Sequence, residues 1–212
     1  MMTELVFILD RSGSMSGLEH DTIGGFNSMI EKQKKEEGAA VVSTVLFDHE
    51  SAVIHDRLPL EQVPRMTEAE YFTRGCTALL DAVGGAIHHI GNVHKYARRE
   101  DVPQKTLFVI TTDGCENASK YYDYDRVHKM IERQKKQYGW EFLFLGANMD
   151  AAAEAGRFGI NADHAVRYRC DEAGTALNYE VIGEAVRSVR ANCPLSADWK
   201  KRIDEDVESR GR

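Results

Sequence analysis

Leu5-Val6-Phe7-Ile8-Leu9-Asp10-Arg11-Ser12-Gly13-Ser14-Met15 is the stretch from which the fold is read. Five apolar residues in succession make a strand-length run, and a run apolar on both faces suits a central parallel strand covered by helices on each side. Such strands present their chemistry at the carboxyl end, in the crevice above the sheet. There the run meets Asp10, Ser12 and Ser14, carried on a turn that Gly13 lets bend tightly. All three donate oxygen. Hard oxygens without nitrogen or sulfur favour magnesium or calcium before zinc. Neither G-x-G-x-x-G nor G-x-x-x-x-G-K-[ST] follows the strand, so a phosphate cradle is not expected.

Two other segments bring similar donors. Thr77 stands in Gly75-Cys76-Thr77-Ala78, just ahead of an apolar helical pattern. Asp113 closes a second buried-strand run, Thr106-Leu107-Phe108-Val109-Ile110-Thr111-Thr112-Asp113-Gly114. Two strands that end in Asp10 and Asp113 can lie side by side, with Thr77 beside them at a helix start.

At these residues the chain resembles the von Willebrand factor type A (vWA) domain and its metal-ion-dependent adhesion site. That family's pattern is D-x-S-x-S, then a threonine, then an aspartate after a later strand. Asp10, Ser12, Ser14, Thr77 and Asp113 match it in order and spacing, over roughly residues 3–190. Phe144-Leu145-Gly146-Ala147-Asn148-Met149-Asp150 looks like the corresponding stretch of stand-alone intracellular vWA proteins of bacteria and phages. The resemblance implies an α/β, doubly wound, mostly parallel sheet with one antiparallel edge strand and helices on both faces. It also implies a bound Mg2+, with Mn2+ or Ca2+ as substitutes. Ser12, Ser14 and Thr77 would ligate it directly, while Asp10 and Asp113 would act largely through water. Hydroxyls leave the ion electron-poor on its open face, so a carboxylate from a protein partner is the expected further ligand.

Composition narrows the setting. With 27 basic and 34 acidic residues among 212 the formal net charge is −7, and that acidic balance argues against nonspecific nucleic-acid binding. No positive region precedes an apolar stretch at the amino terminus, and no apolar run approaches a membrane span, so neither a secretory leader nor membrane insertion is expected. Cys76, Cys115, Cys170 and Cys193 show neither C-x-x-C spacing nor disulfide-scaffold density, which suits a reducing cytoplasm. Cys76 and Cys115 flank Thr77 and Asp113; a redox role is conceivable, though small buried cysteines are the expectation.

Along the chain, Leu18, Thr22, Phe26, Met29, Ile30 and Gln33 recur at helical spacing. Residues 39–47 and 51–58 are two strand-like runs joined by Asp48-His49-Glu50, a loop so short that only an antiparallel hairpin fits. Helices follow around residues 79–98 and from Asp123 or Asp125, then a strand at Trp140–Leu145, a short helix capped by Asp150, a last strand at His164–Tyr168 and a helix over residues 176–189. Residues 1–193 thus form a single vWA-like domain, and the polar stretch 194–212 is expected to be a frayed helix or a disordered tail. Asp48, Arg74, Glu116, Asn117 and Asn148 fall at strand carboxyl ends and form the expected partner-binding rim, with Arg74 steering an acidic partner.

The expected activity is metal-dependent capture of an acidic residue on a partner protein, with no bond broken. Two alternatives stand beside it. A magnesium-dependent hydrolase or phosphatase-like enzyme is disfavoured, because Ser12 occupies the second aspartate position of D-x-D and Met15 stands where a nucleophile elbow needs serine. An adaptor subunit of an ATPase or stress-response assembly differs chiefly in the partner. His88, His89 and His94 lack the spacing of a zinc site. The oligomeric state is open.

Overall fold

A computed structural model describes residues 2–210. Its centre is β1 (Met2–Asp10), buried from Thr3 to Asp10. Next come α1 (Glu19–Gln33), β2 (Ala39–Phe47), β3 (Ser51–Pro59), α2 (Leu79–Tyr96) and β4 (Lys105–Thr112). The chain then continues through α3 (Tyr124–Tyr138), β5 (Glu141–Ala147), α4 (Ala151–Arg157), β6 (Ala165–Tyr168), α5 (Glu172–Arg190) and α6 (Lys201–Arg210). The six strands lie in the order β3-β2-β1-β4-β5-β6, all parallel except for β3, which runs antiparallel to β2 at one edge.

Strand geometry explains the two-sided core. Successive side chains point to opposite faces, so Leu5, Phe7 and Leu9 of β1 pack with Phe26 and Ile30 of α1, Ile182 and Val186 of α5, and Ile203 of α6. Val6 and Ile8 face the other way, against Leu79, Val83 and Ile87 of α2, Val127 and Ile131 of α3, and Ala155 of α4. A strand alternating with polar residues would have left one face wet. This run covers both.

The element boundaries follow local chemistry. Asp123, Asp150 and Asp171 cap α3, α4 and α5 by accepting from the backbone N–H groups of Arg126, Ala153 and Gly174. Gly139 ends α3 in the left-handed conformation at φ 65°. Asp10 and Ser12 do not cap α1, whose N-cap is Leu18.

The C-terminal stretch takes the helical one of its two expected forms. The polar stretch read as a frayed helix or disordered tail is helical from Lys201 to Arg210, and its final two residues lie outside the described ones. It docks because Ile203 is buried and Trp199 packs on the same core. Lys200 also donates to the carbonyls of Ala162 and Ala165 at 2.7 Å each, and Arg202 pairs with Glu180 and Glu184 of α5. Two apolar side chains, Ile203 and Val207, among ten residues make a weak periodic signal in sequence, yet burial of Ile203 suffices when charged neighbours find partners on α5. Among the described residues no helix is long and apolar enough to cross a membrane.

Candidate metal centre

The sheet order reverses direction between β1 and β4, and open α/β sheets bind ligands in the crevice at such a point. β1 and β4 are paired, with Leu9 opposite Thr111, so the segments after both strands open into one crevice. Asp10 ends β1, and Ser12 and Ser14 follow on a turn that continues into a short 3-10 segment, Gly13–Met15. Thr77 is buried just before α2, and Asp113 follows β4.

Hydrogen bonds join Asp10, Ser12, Ser14 and Asp113 into one cluster, and Thr77 lies beside it. The Asp10 carboxylate accepts from the Ser12 backbone N–H at 2.6 Å. The Ser12 and Ser14 hydroxyls are 3.1 Å apart, and the Ser14 hydroxyl donates to Asp113 Oδ1 at 2.5 Å. Gly13 N–H donates to the Gly75 carbonyl at 3.1 Å, which ties the first loop to the Thr77 loop. A Cβ at Gly114 would lie 2.9 Å from Thr77 Oγ1 and 3.4 Å from Ser14 Oγ, so those two hydroxyls face the same point on the Asp113 loop. All five residues singled out by sequence converge here.

Electrostatics favours a cation. Burial pushes the Asp10 carboxyl up to about 6; hydrogen bonds from Ser12 and Thr112 oppose that rise, and the charge of Asp113 adds to it. Cys170 stands 3.5 Å from the second Asp113 oxygen, and burial together with the Asp113 charge pushes its thiol up to about 12. Two buried carboxylates, Asp10 and Asp113, thus bring negative charge to a crevice that opens at Ser14, where a divalent cation would neutralise it. The donor set, two carboxylates and three hydroxyls, fits a hard ion such as Mg2+. Gly114→Ala tests this packing. The added methyl is expected to push the stiff, β-branched Thr77 hydroxyl aside and weaken Mg2+ binding by about tenfold or more, with the fold retained. Calorimetry and circular-dichroism melting read the two effects.

Three supporting side chains escaped the sequence reading. Thr112 donates its hydroxyl to Asp10 Oδ2 at 2.6 Å. Tyr71, fully buried, donates to the Asp10 carbonyl at 2.6 Å. Arg11, 5% exposed, holds Asp48. A threonine inside an apolar strand and a tyrosine in a loop carry no local mark of such roles.

The rim differs from expectation. Asp48 is fully buried and therefore presents no surface to a partner. Its Oδ2 accepts from Nε of Arg11 and of Arg74, each at 2.9 Å, and its Oδ1 from the Glu50 backbone N–H at 2.9 Å. Burial alone would raise the Asp48 carboxyl, but the Arg74 and Glu50 hydrogen bonds and both guanidinium charges outweigh burial and hold it below its ordinary range. Arg74 also meets Glu50 at 3.1 Å, so its charge is balanced. Glu116 is turned inward, accepting from the backbone N–H groups of Leu80, Ala118 and Ser119. Asn117 is exposed and braces Thr77, accepting from its N–H through Oδ1 at 2.9 Å and donating its own N–H to the Thr77 carbonyl at 3.0 Å. Asn148 is exposed in the left-handed conformation at φ 57°. Cys76 and Cys115, expected to be buried, are exposed.

The histidines go separate ways: His88 to the Tyr122 hydroxyl, His89 to Asp56 and His94 to Glu4. Among the described residues no three His, Cys, Asp or Glu side chains are grouped to hold a metal. Three of the five donors in the crevice are hydroxyls and none is nitrogen or sulfur.

No family model matches the chain, and no curated sequence relative does. Its fold is shared with solved structures. A minor pilin, PilB (D319A mutant) of Streptococcus sanguinis, superposes with a TM-score of 0.63 at 12% identity, over 89% of this chain and 62% of that one. A von Willebrand factor type A protein of Catenulispora acidiphila gives 0.59 at 14%, over 88% and 43%. Proximal thread matrix protein 1 of the mussel byssus, solved with a zinc-occupied MIDAS motif, gives 0.58 at 12%, over 87% and 46%. The chain spans less than two thirds of the length of each of these three. Identity this low speaks for the fold alone, and the fold is that of vWA domains.

Proposed function

We propose that the chain is a metal-dependent protein-binding module: a divalent cation held by Asp10, Ser12, Ser14, Thr77 and Asp113 captures a carboxylate of a partner protein. The observation that carries this reading is the convergence of five oxygen-bearing side chains from three segments at the sheet's switch point. Mg2+ is the proposed ion, with Mn2+ or Ca2+ as substitutes; the zinc in the mussel protein's MIDAS motif supports divalent binding in this fold. When bound, the cation supplies an electrophilic face for an anionic oxygen. The chain's own residues hold and orient that face. Ser12, Ser14 and Thr77 contribute neutral oxygens, and Asp10 and Asp113 contribute the countercharge.

The arrangement supports binding rather than catalysis. A hydrolase needs a base within reach of its nucleophile, whereas His49, in the loop between β2 and β3, places Nδ1 3.0 Å from Asp48. We therefore assign no catalytic residue. Four free thiols suit a reducing compartment, and the cytoplasm of a bacterial or phage-infected cell is the proposed setting.

Titration calorimetry of Mg2+ and Mn2+ into chelator-stripped protein tests the reading. Saturable binding is expected for the wild type, with affinity lowered about a hundredfold or more in Thr77→Ala and in Ser12→Ala/Ser14→Ala. Unchanged affinity in these variants would move the ion elsewhere.

A further inference from the structure

We propose that Phe72 is a second contact point beside the metal centre, and that the partner is an extended peptide segment. In that segment an apolar side chain lies within about three residues of the metal-directed carboxylate and packs on this ring. The inference rests on the carboxylate capture argued above and names the chemistry of its partner.

Phe72 is 42% exposed, beside Val53, Tyr96, Tyr121 and Tyr138 among the large apolar side chains left open to solvent. Among the described residues it is the one of these in the segment that carries Thr77. That segment is stitched to the D-x-S-x-S loop at three points. Tyr71 donates to the Asp10 carbonyl at 2.6 Å, Arg74 N–H to the Arg11 carbonyl at 3.0 Å, and Gly13 N–H to the Gly75 carbonyl at 3.1 Å. An exposed aromatic ring is therefore held, beside the Arg11 guanidinium, in a loop tied to the one that carries Asp10, Ser12 and Ser14.

Two guanidiniums flank the ring. The Arg11 and Arg74 guanidiniums stand 5.0 and 5.6 Å from its centroid, and the Asp48 carboxylate fixes both. Contacts already made in the folded chain restrict the ring, so a partner that covers it has less further side-chain entropy to remove. Aromatic side chains held this way are the usual anchors of protein interfaces.

Charge decides what lands there. Arg11 and Arg74 are matched by Asp48 and Glu50. No surplus positive charge remains beside Phe72 to draw a second acidic residue. The neighbour of the captured carboxylate should then be apolar, burying area against the ring.

The test uses a phage-displayed library of random heptapeptides, panned on the full chain with Mg2+ and eluted with chelator. Recovered peptides are expected to contain Asp or Glu with an aliphatic or aromatic residue within three positions. A synthetic representative should bind Phe72→Ala about tenfold or more weakly and Phe72→Tyr within about threefold of the wild type, with Mg2+ affinity unchanged in both. Replacing the apolar residue of the peptide by Ser should cost the wild type the same factor and cost Phe72→Ala almost nothing. The wild-type arm of that cycle stands even if a Phe72 variant folds poorly. Chelator-eluted acidic peptides without an apolar neighbour, or with equal affinity for Phe72→Ala, would overturn this inference and leave carboxylate capture standing. Absence of any acidic peptide released by chelator would overturn both.

Discussion

Asp10→Asn is expected to make the chelator-stripped protein more stable than the wild type at neutral pH while removing its metal binding. The carboxyl is 1% exposed, and burial raises it from 3.8 to about 6. A carboxyl raised in the folded state binds its proton more tightly there than in the unfolded chain. Folding therefore carries a penalty that is absent below the unfolded value, grows between about pH 4 and 6, and is complete above that. At one pKa unit per about 1.4 kcal/mol the penalty is on the order of 3 kcal/mol. Asparagine removes it without orphaning a neighbour. Its carbonyl oxygen can still accept from Ser12 N–H, and its amide can donate to Thr112 Oγ1, whose proton then turns to the Gly114 carbonyl 3.0 Å away. Urea melts of metal-free wild type and variant at pH 3.5 and pH 7.5 should coincide at the first and diverge at the second, the variant standing higher. Saturating Mg2+ should close or reverse the gap, because only the wild type gains binding energy. A variant less stable at pH 7.5 without metal would refute the electrostatic account of the site.

Asp48→Ala is expected to lower stability by about 3–5 kcal/mol, the usual cost of removing one partner from a buried ion pair. Asp48 holds the Nε groups of Arg11 and Arg74 and accepts from the Glu50 N–H. Its backbone carbonyl also receives the Ala78 N–H at 2.7 Å, so the turn between β2 and β3 lies directly against the entry to α2. Losing the carboxylate strands Arg11, 5% exposed, and frees the loop that carries Thr77. For a domain of this size the melting temperature should fall by on the order of 10 °C, with Mg2+ affinity falling alongside it. Arg74→Ala, which removes the more exposed partner and leaves Arg11 on Asp48, should cost far less than Asp48→Ala. Equal effects of the two substitutions would contradict the assignment of Asp48 as the buried anchor.

These expectations show how unevenly the molecule could be read in advance. The five oxygen-bearing candidates could be named because they match the vWA pattern and each stands next to a strong local signal. Asp10 and Asp113 end apolar strand runs, Ser12 and Ser14 follow within one turn, and Thr77 opens a helical pattern. The rim was not legible, because falling at the carboxyl end of a strand leaves a side chain's direction open. Asp48 turned inward to meet Arg11, and Glu116 turned inward to the Leu80 amide of α2. Thr112 and Tyr71 went unnoticed for the converse reason. Each is an ordinary residue of a strand or loop until the sheet sets it against Asp10.

The sequence by itself pointed to the sheet, its two covered faces and the antiparallel edge, and it named five oxygen-bearing candidates. The buried strands and the hairpin follow from apolar runs and loop length, properties of neighbours in the chain, while the overall sheet and the candidate set came from the resemblance to the vWA pattern. Only the tertiary structure decided which polar groups near the site are spent on holding it and which remain open to a partner. It also decided whether the polar stretch after residue 193 docks. Both outcomes depend on contacts between residues far apart in sequence: Arg11 with Asp48, Glu116 with Leu80, Arg202 with Glu180. A polar side chain at the surface of its own segment goes to solvent or to a distant partner according to what the fold brings within about 3 Å.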